Sequence, residues 1–172
     1  PAGCRYAIRA ARPDAVIHLA ALAAPGKSFG DPVLTWRVNL LGTVALGEAV
    51  LAEAKGALFV QASSVEVYGH SFLEGRVLAE DAPLRPANPY AASKAAAEIA
   101  VEEMVRRGLR AVRLRPCNHT GAGQSEDFVV AAFARHLRGP GRCPALHVQR
   151  ARRPLHQVGQ VEGFGQIVVG LG

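Results

Sequence analysis

Asn88-Pro89-Tyr90-Ala91-Ala92-Ser93-Lys94 is the stretch on which the reading of this chain turns. Asn88 has the side chain of a helix N-cap, and Pro89 the ring suited to a first helical position. The alanine-rich run beyond them predicts a helix to about Arg107, with Gly108 as its C-terminal stop. Tyr90 and Lys94, four residues apart, then share one face of that helix. Taken alone, the pair reads equally as a packed tyrosine beside a solvated lysine. What flanks it in the sequence changes that reading.

Upstream, Ala57 to Ala62 is a short apolar run of buried-strand type that ends at Ser63-Ser64. Downstream, Arg110 to Arg115 alternates as a strand does and is closed by Pro116-Cys117-Asn118. Further back, Asp14 to Ala21 holds another apolar run, preceded by a helical pattern over residues 3–12 that Pro13 stops. Asp31-Pro32 opens a second long helix, predicted from Val33 to Ala54 and closed at Gly56. Residues 22–30 read as loop, and Val65 to Pro86 as a polar excursion too irregular for one element. Asn118 to Gln124 is a further loop, after which Ser125 can cap a last helix to about Leu137. Strand and helix alternate with short links. The expected fold is therefore α/β, a Rossmann-type, doubly wound parallel sheet with right-handed crossovers. Ligands of such sheets bind outside the carboxyl ends of the strands. His18 to Ala21, Ser63-Ser64 and Pro116 to Asn118 all fall at such ends, which marks out one candidate site.

A chain of 172 residues, 49% hydrophobic, suits about one domain with a real core. No apolar run reaches the roughly 18 residues of a membrane span, and the start has no signal-peptide pattern. Cys4, Cys117 and Cys143 are widely spaced, without metal-type pairing, and read as free thiols of a cytoplasmic protein. No metal site is expected. The formal charge of +6 is placed unevenly: Arg135, Arg138, Arg142, Arg150, Arg152 and Arg153 face a single acid, Glu162, in the last stretch. Aromatic residues are not interleaved with those arginines, so neither nucleic acid nor a membrane is the expected partner.

A tyrosine is a poor base at its ordinary pKa of about 10. A lysine one turn away stabilises the phenolate, and a serine hydroxyl at a strand end could bond the same substrate oxygen. Together they would move a proton on an alcohol or carbonyl while hydride passes to or from a nicotinamide.

His18-Leu19-Ala20-Ala21, Asn39-x-x-Gly42-Thr43, Ser63-Ser64-x-x-Val67-Tyr68-Gly69, Tyr90-x-x-x-Lys94 and Arg115-Pro116-x-Asn118 occur in that order. Over roughly residues 3–138 this series resembles the extended short-chain dehydrogenase/reductases that act on nucleotide sugars, the NAD-dependent epimerase/dehydratase family. The resemblance implies Tyr90 as catalytic acid/base, with Lys94 orienting it and holding the nicotinamide ribose. Ser64 would assist at the substrate oxygen, being four residues before Tyr68. It implies NADP or NAD as cofactor, lined by Leu19, Ala20, Ala21, Asn39, Ser63, Tyr90, Lys94 and Pro116, while His18 reads as a packed core residue. Asn118 to Gln124 with Asp127-Phe128-Val129 resembles the nucleotide-sugar loop of the GDP-4-keto-6-deoxymannose reductases. Asn118 would then contact the diphosphate or sugar, and Phe128 and Val129 the nucleotide. Family members that dehydrate nucleotide sugars carry an acid/base pair where this chain has Val65 and Glu66. Val65 has no proton to give, so reduction of a GDP-linked 4-keto sugar is favoured. Glu66 as a base keeps dehydratase or 4-epimerase as the alternative. The family's homodimers suggest pairing through the helices at 32–54 and 89–107.

The resemblance has edges. No Gly-x-Gly-x-x-Gly or Gly-x-x-Gly-x-x-Gly phosphate turn is present, and at about 30 residues per βαβ unit roughly 60 residues of such a fold would precede residue 1. The chain is expected to lack the first βαβ units and to bind dinucleotide weakly by itself. Residues 1–139 read as a partial NAD(P)-binding domain, and 140–172 as an atypical basic tail. Arg150 to Pro154 and the Gly/Gln/Val run after it resemble GC-rich coding sequence read out of frame, or else a basic tail with an apolar patch at Ile167 to Leu171. A catalytically silent remnant and a basic interaction module are the other two function classes.

Overall fold

The computed structural model describes residues 2–75 and 77–138. Residues 1–136 form one compact unit. The expected basic tail at 140–172, with Cys143 and the apolar run at 167–171, lies outside the described residues.

Helix α1 (Ala2–Ala11) leads into strand β1 (Ala15–His18), followed by a one-turn helix α2 (Pro25–Ser28). The long helix expected after Asp31 forms as three consecutive segments: α3 (Pro32–Trp36), a π-helical turn (Arg37–Leu41) and α4 (Gly42–Glu53). Asp31 caps it, its side chain accepting from the Leu34 N–H at 2.8 Å, with Pro32 in the first turn. Strand β2 (Leu58–Ala62) comes next. Val65–Glu74 then runs in 3-10 turns kinked at Gly69, so half of the expected polar excursion is ordered structure. Helix α5 (Pro89–Arg106), strand β3 (Arg110–Leu114) and helix α6 (Val129–Arg138) complete the order.

Two expected boundaries move, each for a hydrogen-bonding reason. β1 ends at His18, before Leu19 to Ala21, and soon afterwards the Leu22 N–H and C=O are both held by the Asn39 side chain at 2.8 and 3.2 Å. Those backbone groups are satisfied without a strand ladder. Ser125 does not cap α6. Its hydroxyl accepts from the Asp127 N–H and its carbonyl from the Phe128 N–H, closing a turn, and the helix starts at Val129.

The sheet is wholly parallel in the order β1-β2-β3, with Ala15 beside Leu58 and Leu58 beside Arg110. On one face Phe59 packs with Ile8 of α1, Ala49 and Val50 of α4, and Val101 and Met104 of α5. Burying side chains of this size stabilises the fold by about 1.5–3 kcal/mol for each large one. Gly47 permits the close approach of α4 to α5, because a Cβ there would lie 2.5 Å from the Met104 sulfur. The opposite face leaves Ile17 66% exposed. In this register the three carboxyl ends lie side by side. The ladder continues past the strands: Ser63 N–H donates to the Leu114 carbonyl at 2.7 Å and Val65 N–H to the Pro116 carbonyl at 3.1 Å.

Candidate active site

Two caps join where the strands end. Ser64, in extended backbone, caps the 3-10 segment, its Oγ accepting from the Glu66 N–H at 3.2 Å. Asn88 caps α5, its Oδ1 accepting from the Ala91 N–H at 2.8 Å while its Nδ2 donates to the Glu66 carboxylate at 3.0 Å. The starts of both elements are thereby tied together, and Tyr90 at the head of α5 lies near enough to the Ser64 hydroxyl for it to lower the phenol pKa.

Tyr90 is buried, and burial pushes its phenol above the ordinary value. The Ser64 hydrogen bond opposes that shift and the nearby Glu66 charge adds to it. Lys94 is buried as well. Burial depresses its ammonium, which lies 6.0 Å from the Tyr90 ring centre and donates to the Ala62 carbonyl at 2.7 Å. An ammonium has three hydrogens, so this bond leaves donor capacity beside the phenol.

A cleft of about 520 Å³ opens at this edge. Ser63, Ser64 and Glu66 line it from the end of β2, Tyr90 from α5, Pro116 and Asn118 from the end of β3, and Phe128 and Val129 from the approach to α6. Lys27 and Asp127, beside lining residues on two walls, pair at 2.7 Å. Eight residues singled out in the sequence therefore meet in one cavity. Lys94 stands behind the Tyr90 wall and does not line the cleft. Leu19, Ala20 and Ala21 follow β1 outside the lining, with Leu19 71% exposed.

Two of the expected cofactor residues are engaged by hydrogen bonds within the protein. Asn39 is only 1% exposed. Its amide holds Leu22 at both backbone groups and donates to Ser93 Oγ at 3.0 Å, and Ser93 in turn donates to the Tyr90 carbonyl at 2.7 Å. Asn39 braces the wall from below. Ser63 lines the cleft, but its hydroxyl is committed to a short hydrogen bond with the Glu98 carboxylate. His18 sits in the core as expected, 3.0 Å from Thr43 Oγ1, and burial lowers its basicity.

Sequence reading missed Glu98, the use of Arg115, Ser93, and Cys117 in the cleft lining. Glu98 is 1% exposed, and the Arg115 guanidinium grips its carboxylate through Nε at 3.0 Å and Nη2 at 2.6 Å. Arg115 Nη1 donates to the Tyr68 hydroxyl at 2.6 Å and the Glu80 carbonyl at 2.7 Å, and Glu98 holds its basicity above the usual arginine value. One signal was available, since residues 90, 94 and 98 repeat at four-residue spacing on one helix face. Among the described residues no group of three His, Cys, Asp or Glu side chains could hold a metal, and no helix is long and apolar enough to cross a membrane.

Comparison with known proteins places the fold in a family. The model of the NAD dependent epimerase/dehydratase family matches residues 2–161, running on past residue 139. The chain is 40% identical over 126 residues to the GDP-6-deoxy-D-mannose reductase of Pseudomonas aeruginosa, covering 73% of this chain and 41% of that protein. The structure of RMD from Pseudomonas aeruginosa complexed with NADPH superposes with a TM-score of 0.66 at 40% identity, over 73% of this chain and 43% of that one. The UDP-glucose 4-epimerase of Thermus thermophilus in complex with NAD does so with a TM-score of 0.71 at 40% identity, over 77% and 44%. The chain spans well under half the length of each of these relatives. With its parallel sheet, its Ser64, Tyr90 and Lys94 cluster and a family match over most of its length, this chain belongs to the NAD dependent epimerase/dehydratase family.

Proposed function

We propose that this chain carries the proton-handling part of a nucleotide-sugar oxidoreductase that reduces the 4-keto group of a GDP-4-keto-6-deoxy-hexose with NADPH or NADH. The observation that carries the reading is Tyr90, held in the cleft wall between the Ser64 hydroxyl and the Lys94 ammonium. The likeness to a GDP-6-deoxy-D-mannose reductase supports the choice of sugar.

The residues at this edge suit the nicotinamide end of such a cofactor. Lys94 has donor capacity left for ribose hydroxyls, and Tyr90 and Pro116 offer a wall for the ring. Bound there, the cofactor would supply the hydride that the carbonyl carbon takes up. Tyr90 gives its proton to the carbonyl oxygen as that oxygen becomes a hydroxyl. Ser64 donates a hydrogen bond to the same oxygen, and Lys94 offsets the charge left on the phenolate. Asn118 would hold the diphosphate or sugar, with Phe128 and Val129 toward the nucleotide.

One observation favours a second reading. Glu66 lines the cleft, is fixed by Asn88, and lies close enough to act on the Tyr90 phenol. A carboxylate there could remove a sugar carbon proton, as a dehydratase or epimerase needs, though Val65 beside it offers no acid. A homodimer through residues 32–53 and 89–106 goes with the reductase reading, covering Leu41 and Ile99, which are 56% and 66% exposed. A cytoplasmic place goes with it too, supported by the free thiols of Cys4 and Cys117.

A single-turnover assay with GDP-4-keto-6-deoxymannose and NADPH tests the proposal. Loss of NADPH absorbance in the parent, absent in Tyr90→Phe, supports it. Equal behaviour of the two chains refutes it.

A further inference from the structure

Glu98 lies on α5 one turn beyond Lys94 and two beyond Tyr90, with 1% exposure. A carboxylate that deep is retained only where it is paired and fully hydrogen-bonded. Its partners come from elsewhere in the fold. Ser63 donates from the end of β2, and Arg115, just past β3, donates through Nε and Nη2. Arg115 carries the contact further, through Nη1 to the Tyr68 hydroxyl of the 3-10 segment and to the Glu80 carbonyl. Its guanidinium carbon lies 4.9 Å from the Tyr68 ring centre.

Apart from Glu80, each segment gripped in this way carries a cleft residue close by. Ser63 precedes Ser64, Arg115 precedes Pro116 and stands three before Asn118, and Tyr68 stands two after Glu66. Glu98 shares its helix with Tyr90 and Lys94. Sliding or tilting α5 against the strand ends would pull charged hydrogen bonds apart where little water can replace them. We infer that the Glu98–Arg115 pair is the positioning element of this site, setting α5 against the ends of β2 and β3 and so holding Tyr90 to Ser64. The placement of Tyr90 stands on the geometry alone, whereas its catalytic consequence rests on the reductase reading. The clamp also gives Tyr68 a part, as the brace on the far side of Arg115.

The test follows Tyr90 directly, in the 172-residue chain carrying ¹³Cζ-tyrosine. Tyr6, Tyr68 and Tyr90 are its three tyrosines, and loss of one resonance in Tyr90→Phe assigns Tyr90. Glu66, Lys94 and Ser64, the groups that act on this phenol, are left in place in every variant. In Glu98→Gln the midpoint of the Tyr90 titration falls toward the ordinary tyrosine value, as the loosened helix admits water. Ser63→Ala, which strands no charge, gives a smaller shift in the same direction. Val50→Ala, a core truncation outside the clamp, leaves Tyr90 where it is in the parent. An unmoved Tyr90 in folded Glu98→Gln overturns the proposal, as does an equal shift in Val50→Ala. Should Glu98→Gln fail to fold, Ser63→Ala decides by the same criterion. The readout needs no substrate. A parent without turnover whose Tyr90 still moves in Glu98→Gln refutes the reductase reading and leaves the positioning role standing. With turnover, Glu98→Gln lowers kcat about tenfold or more while KM stays within about twofold.

Discussion

Tyr90 resists ionisation where it sits, because burial and the Glu66 charge both disfavour the phenolate. For a reduction that is the useful direction, since the protonated phenol is the acid. The rate should hold through neutral pH and fall only above about 10, as the proton is lost. Glu66→Gln removes a charge that raises Tyr90, so the falling limb should move to lower pH, and a pH–rate profile checks the sign. Tyr90→Phe should cost about 10²–10⁴ in kcat/KM. Lys94 supplies a stability test. Its folded pKa is depressed by burial, so between that value and the unfolded 10.5 the unfolded chain binds more protons, and stability rises with pH. Denaturant unfolding should therefore show the parent gaining on Lys94→Met as pH climbs toward 10.5, and a flat difference would contradict it. Tyr90 and Lys94 could be singled out in the sequence because i,i+4 spacing past an Asn-Pro cap is a local rule, and Ser64 by its place at a strand end and the family resemblance. The role of Asn39 could not be read there, since nothing local says that its amide serves the backbone of Leu22, 17 residues away. Glu98 in mid-helix looks like a solvated charge until Arg115 is seen against it.

Helix α5 acts as a ruler, placing Tyr90, Lys94 and Glu98 in one row by the ends of β2 and β3. Its start is held by Asn88, and its register by the pair at Glu98. The kinked segment before it depends on Gly69, at φ 46°, where a Cβ would lie 2.1 Å from the Arg85 carbonyl oxygen and 2.9 Å from the Pro86 Cα. Backbone bonds from His70 N–H to the Arg85 carbonyl and from Arg85 N–H to the Val67 carbonyl fix that approach. Gly69→Ala should cost at least about 2 kcal/mol and draw Glu66 away from Asn88, to be read by chemical denaturation and by the Asn88 side-chain amide resonances. At this scale the sequence conveyed helices and strands well, because apolar periodicity and turn residues carry them. It missed the π-helical turn at Arg37–Leu41 and the 3-10 run at Val65–Glu74, whose bonds depend on tertiary partners.

At the scale of the molecule, α1, α4 and α5 pack on one sheet face and the strand ends open together beside them. The proposed homodimer predicts that Ile99→Asp halves the mass found by sedimentation without unfolding the chain, whereas an unchanged mass would remove Ile99 from any interface. The parallel order could be anticipated from the alternation of strands and helices, but the meeting of β2, β3 and α5 on one part-buried ion pair could not. The central claim is that this edge moves a proton on a sugar carbonyl while hydride arrives at its carbon. The most direct measurement is transfer of label from NADPH deuterated at the nicotinamide C4 to GDP-4-keto-6-deoxymannose, read by mass spectrometry and NMR. Deuterium at C4 of the sugar in the parent, and none with Tyr90→Phe, is the predicted result. No label at C4, or solvent exchange of a sugar carbon proton that depends on Glu66 instead, would contradict it.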